Sequence, residues 1–156
     1  MKTYTVRELE QLLLAEIPAA WAEDWDNVGL LAGDGDAPVR RVLAALEVTE
    51  PVIQEAQAVG AQLILTHHPV IFKGVKRLCP QDPQGELAYA VTRAGLSVIS
   101  LHTNWDAAPG GTNDALGAAL GVTELKLFSA GEVQPIGRVG RIAPCTLAAF
   151  AGRVKS

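Results

Sequence analysis

Apolar residues recur at helical spacing from the start of the chain, where Val6, Leu9, Leu13 and Ile17 share one face. Thr5 and Glu8 form a capping box, each side chain satisfying a backbone N–H that a helix start leaves unpaired, so the helix is predicted from about Thr5. Pro18 ends it. From Trp21 to Asp36 the periodicity disappears and Gly29, Gly33 and Gly35 punctuate the chain, which reads as a loop. Three strand–helix units follow. Val39 to Val48 is an apolar strand, and Thr49 caps a helix over Glu50 to Val59, with Pro51 in its first turn and Gly60 as its stop. Leu63 to Leu65 is a second strand, followed by a helix over Glu86 to Ala94 that Gly95 closes. Val98, Ile99 and Leu101 mark a third strand, and a helix over Asn113 to Leu120 ends at Gly121. Near-continuous apolar strands alternating with helices predict an α/β fold: a mostly parallel sheet with helices on both faces.

Leu125 to Phe128 and Gly137 to Ile142 are further candidate strands. After Pro144-Cys145-Thr146, Leu147, Phe150 and Val154 fall on one helical face, and the sequence stops at Ser156. This pattern is read as a single domain over 1–156 that lacks its C-terminal continuation. The alternative is a short terminal helix docked on the core.

A length of 156 residues with 49% apolar positions suits one domain and supports a real core, which excludes a disordered chain. Thirteen Lys and Arg against 17 Asp and Glu give a net charge of −4, so nucleic-acid binding is not expected. No apolar run approaches membrane-spanning length, and the N-terminus does not resemble a secretory leader. The two cysteines, Cys79 and Cys145, are far apart and form no CxxC pair. A reducing, cytoplasmic setting is expected.

All three histidines fall between positions 67 and 102, and each follows a predicted strand. Thr66-His67-His68-Pro69 ends the second strand and Ser100-Leu101-His102 ends the third; Asp106 comes four residues later. Glu47 lies near the end of the first strand. Open α/β sheets bind ligands beyond the carboxyl ends of their strands, so these imidazoles and carboxylates are predicted to converge on one rim. Imidazole with carboxylate suits zinc, iron or manganese. Adjacent histidines at a strand end point to different sides, which fits two neighbouring ions better than one. Each residue has a plainer reading. His102 can be a base near the metals, Asp106 can start a turn, and Glu47 can support a ligand from behind. Gly110-Gly111 before a helix can bring backbone N–H groups to an anion or simply make a tight loop. Lys73-Gly74-Val75-Lys76-Arg77 is either a solvated loop or a contact for a substrate phosphate.

Three blocks carry a family resemblance: Trp25-Asp26-Asn27-Val28-Gly29-Leu30, Thr66-His67-His68-Pro69-Val70-Ile71-Phe72, and His102 through Asp114. Together they resemble the dinuclear metal-centre hexameric proteins, also known as GTP cyclohydrolase 1 type 2 homologs. The resemblance implies two divalent ions per subunit, a toroidal homohexamer and a small-molecule substrate. It places metal ligands on His67, His68 and Asp106 and puts His102 close to the metals, in a supporting or catalytic position; Glu47, Asn27 and Lys73 are candidates for supporting or substrate contacts. Glu47 stands where the family more often has Asp. The family's C-terminal part adds a further His and Glu to the metals, whereas this sequence has no histidine after His102. The expected function is hydrolysis of a nucleotide-like or phosphorylated small molecule by paired metals. The alternative is a non-catalytic metal-binding scaffold, metal carrier or regulatory partner.

Overall fold

The computed structural model describes residues 3–128 and 135–155. The chain groups into two compact units, Met1–Asn104 and Trp105–Ser156.

The first unit opens with β1 (Tyr4–Thr5) and α1 (Val6–Glu16). Thr5 caps α1 with the reciprocal Glu8 bond that the sequence predicts. After α1 come β2 (Gly29–Ala32), β3 (Pro38–Val39), β4 (Val42–Ala45), α2 (Glu50–Val59), β5 (Leu63–Thr66), α3 (Glu86–Arg93) and β6 (Ser97–Ser100). Gly60 ends α2 in the left-handed region at φ +68°, which a Cβ would strain.

The main sheet has the order β2-β6-β5-β4. β4 runs parallel to β5 and β5 parallel to β6, but β2 pairs antiparallel with β6. The sheet is therefore mixed, which corrects the purely loop-like reading of 21–36. Gly29 and Gly33 bound β2 at φ +97° and +102°. Glycine there marks the two ends of a strand and not a flexible loop. A Cβ on Gly33 would lie 2.5 Å from Cα of Ser97, so only glycine lets the chain pass β6 this closely. The expected strand from Val39 to Val48 is split into β3, which pairs with β1, and the sheet strand β4.

Strand side chains alternate between two cores, as a sheet covered on both sides requires. Leu63 and Ile99 pack with Val6 and Val39, with Leu9 and Leu13 of α1 alongside. Ile64 and Val98 pack on the other face with Ile53 and Ala56 of α2 and Val91 of α3. The predicted helices on both faces are present.

The short helix α4 (Thr103–Ala107) carries the chain into the second unit. That unit contains α5 (Thr112–Ala119), the antiparallel pair β7 (Thr123–Leu127) and β8 (Arg138–Arg141), and α6 (Leu147–Lys155). Arg138 organises it: Nε donates to Oδ1 of Asp114 at 2.5 Å, and Nη2 donates to the carbonyls of Ala107 and Ala108 at 3.1 and 3.0 Å. Among the described residues no helix is long and apolar enough to cross a membrane.

Candidate metal centre

β5 and β6 run side by side in the same direction, so their carboxyl ends finish together. Thr66 pairs with Ser100 in register, and their buried hydroxyls lie 2.7 Å apart. Beyond them the chain delivers His67 and His68 from β5 and His102 from β6. The backbone N–H groups of His67 and His68 both donate to the carbonyl of Leu46, just past β4, at 3.2 and 2.8 Å. The three rings cluster with centroids 5.0 to 5.9 Å apart. One potential ligand atom from each lies within 4.8 Å of the other two.

What lies behind the rings defines their chemistry. Nδ1 of His67 is 3.1 Å from the carbonyl oxygen of Leu101, and Nδ1 of His68 is 3.1 Å from Oε2 of Glu47. Nδ1 of His102 is 2.9 Å from Oδ1 of Asp26. A carbonyl and two carboxylates thus each stand within hydrogen-bond distance of one Nδ1. Metal-ligating histidines characteristically donate their other ring N–H in this way, which fixes the tautomer and ring orientation. The donor set and its support fit a divalent ion.

The two carboxylates differ in setting. The His68–Glu47 pair is about half exposed, whereas the Asp26 side chain is 0% exposed and that of His102 is 17%. Burial opposes the charge on Asp26 and is the largest single influence on it. Hydrogen bonds from the Thr103 hydroxyl, His102, and the backbone N–H groups of Thr103 and Asn27 outweigh it together and hold the carboxyl below its ordinary value.

Aromatic residues flank the triad. Trp25 and Phe72 meet edge to face at 5.8 Å between centroids, and both rings stand near His102, at 6.4 and 6.2 Å. Both are exposed, at 59% and 44%. The Asn27 amide donates to the carbonyl of Ile71 at 2.6 Å, tying the Trp25 loop to the Phe72 loop.

Glu47, a sequence candidate, therefore meets His68, and Asn27 braces the aromatic wall. Lys73 is exposed on the loop that follows the histidines. Asp106 lies on α4 in the second unit, where its backbone carbonyl accepts from Asn113 Nδ2 at 3.3 Å. Of the two readings of Gly110-Gly111, the structure favours the tight loop. Gly110 N–H donates to Asp114 at 2.6 Å and Gly111 N–H to the carbonyl of Ala108 at 3.0 Å. A Cβ on Gly111 would collide with the carbonyl of Trp105. Asp26 is the residue that sequence reasoning passed over. It sits inside a quoted motif, but its partner is 76 positions away.

A mixed-sheet α/β protein with a braced histidine triad at its strand ends is a recognisable class. The Duf34/NIF3 (NGG1p interacting factor 3) family model matches residues 4–156, and the chain belongs to that family. It is 36% identical over 129 residues to a GTP cyclohydrolase 1 type 2 homolog of Clostridium perfringens, covering 83% of this chain and 49% of that protein. A Staphylococcus aureus hypothetical protein of known structure superposes with a TM-score of 0.76 at 37% identity, over 81% of this chain and 42% of that one. Reduced HcgD from Methanocaldococcus jannaschii shares the fold, with a TM-score of 0.78 at 24% identity, over 99% of this chain and 60% of the other. The chain thus spans about half the length of such relatives.

Proposed function

We propose that this chain is a divalent-metal-binding protein whose triad of His67, His68 and His102 holds an ion and serves hydrolysis of a nucleotide-like or phosphorylated small molecule. The observation that carries the reading is the bracing of every triad imidazole at Nδ1, in a cluster whose ligand atoms lie within 4.8 Å. A divalent ion held there supplies Lewis acidity, which polarises a phosphoryl or carbonyl group and eases the loss of a proton from water. His102, expected from sequence as the catalytic residue, joins the ligand set in this reading. The exposed faces of Trp25 and Phe72 favour a planar substrate such as a nucleobase, which aromatic side chains bind by stacking. Lys73, Lys76 and Arg77 follow on the same loop and suit an anionic group.

Three protein ligands plus water satisfy a zinc-like ion, so one ion per chain is the expected load. Metal analysis after dialysis against zinc, manganese or iron tests this. One retained ion, lost in His67→Ala, supports the site; no retained ion with any of the three refutes it. The same count on Asp106→Ala tests the oxygen ligand that the family resemblance implies. Turnover of GTP or a simple phosphodiester by the loaded protein supports a hydrolase. Metal retention or transfer without turnover supports the scaffold or carrier reading. Self-association, up to the homohexamer the resemblance implies, is part of the proposal; light scattering that shows only a monomer removes it.

A further inference from the structure

Glu47 and Asp26 both back an imidazole of the triad, but only Asp26 is sealed from water. Its oxygens are also the more tightly committed. Oδ1 accepts from the Asn27 N–H at 2.8 Å and lies 2.9 Å from Nδ1 of His102; Oδ2 accepts from the Thr103 N–H at 3.0 Å and the Thr103 hydroxyl at 2.5 Å. Since Thr103 directly follows His102, one carboxylate grips both the ring and the backbone that carries it.

We propose that Asp26 is the positioning residue of His102: its buried carboxylate locks the proton on Nδ1 and turns the lone pair of Nε2 toward His67 and His68. The affinity part of this proposal rests on the metal reading above; the tautomer part does not.

An ionised carboxylate offers no proton, so the neutral imidazole beside it must donate from Nδ1. The low-dielectric setting strengthens that preference relative to the exposed His68–Glu47 pair. The surrounding donors leave the carboxylate no alternative pose, because each oxygen already faces a backbone N–H. An amide in its place cannot satisfy the pattern. With its NH2 at Oδ2 it confronts both Thr103 donors. With its NH2 at Oδ1 it confronts the Asn27 N–H and donates to Nδ1 of His102, which moves the imidazole proton to Nε2 and removes the lone pair from the triad.

The test uses the metal-free 156-residue chain and its Asp26→Asn variant. Long-range proton–nitrogen NMR at mildly alkaline pH reads the tautomer of His102, and competition with a chelating dye reads zinc affinity. In the unaltered chain His102 is expected as the Nδ1–H tautomer. In Asp26→Asn the Nε2–H form should gain at its expense, and zinc affinity should fall by about ten- to a hundredfold, the usual effect of losing such a support. His67 and His68 should keep their tautomers, which a general loss of structure would not allow. If Asp26→Asn does not fold, Asp26→Ala decides. It removes the acceptor that holds the proton on Nδ1 and should shift His102 in the same direction to a smaller extent. A wild-type His102 in the Nε2–H form, or a tautomer unmoved in both variants, overturns the proposal. Zinc binding absent from the unaltered chain would sink the metal reading alone and leave the tautomer result to stand on its own.

Discussion

Oγ1 of Thr66 and Oγ of Ser100 share a hydrogen bond of 2.7 Å inside the sheet, one residue before His67 and two before His102. Both residues are almost fully buried, so each hydroxyl depends on the other in a place without water. Thr66→Val should cost about 1–3 kcal/mol, because it strands the Ser100 hydroxyl. Ser100→Ala should cost a similar amount. The double variant should be less destabilised than the sum, with a coupling of about 1 kcal/mol. Urea unfolding of all four proteins checks this, and strict additivity would show the bond to be idle.

Gly33→Ala should destabilise the first unit by roughly 3 kcal/mol, since it combines a left-handed backbone with a clash against Ser97. Gly60→Ala supplies the comparison. It also sits at positive φ but meets nothing within 4 Å, so its cost should be nearer 1 kcal/mol. Equal midpoints for the two variants would contradict the close approach of β2 and β6.

Arg138→Met should cost about 3–5 kcal/mol in the second unit, because it leaves Asp114 without its main partner and takes one donor each from the carbonyls of Ala107 and Ala108. Amide exchange in α5 and β8 should accelerate, while β5 and β6 stay protected. Fast exchange in β5 and β6 of the unaltered chain would count against the central strand assignments themselves.

Acid should act through the same pair. The Arg138 hydrogen bond, helped by the Gly110 N–H, holds the Asp114 carboxyl below its ordinary value of 3.8. A folded value below the unfolded one means stability that is fully present above the unfolded value and lost as pH falls through the folded one. The second unit should therefore weaken only below about pH 4, and Asp114→Asn should flatten that dependence. Asp26 adds a contribution of the same sign to the first unit. Thermal melts from pH 7 down to pH 2 measure both.

The elements with strong local signals were legible in the sequence. The helices α2, α3 and α5 carried glycine stops, α2 and α1 carried threonine caps, and β5 and β6 were short apolar runs. β2 was hidden because its signal lies in pairing. Gly29 and Gly33 read locally as loop punctuation, and only the antiparallel partner β6, almost seventy residues later, shows that they frame a strand. The histidines could be placed on one rim because each follows its strand directly. Their supports were harder to find. Glu47 lay near a recognised strand end, whereas Asp26 lay in a segment whose relation to His102 exists only in three dimensions.

The three imidazoles take their backing from three different places in the sheet: Leu101 after β6, Glu47 after β4 and Asp26 ahead of β2. An ion held by the three imidazoles would thereby sense the order and register of every strand of the four-stranded sheet. A strand slipped by one residue turns its side chains to the opposite face and breaks at least one brace. Metal would then discriminate between correctly threaded chains and near-misses of equal compactness, by about 2.7 kcal/mol at a hundredfold excess over its dissociation constant. Under the proposed metal reading, an ion held by the triad would thus favour the correctly threaded sheet over such near-misses, a role separate from any chemistry.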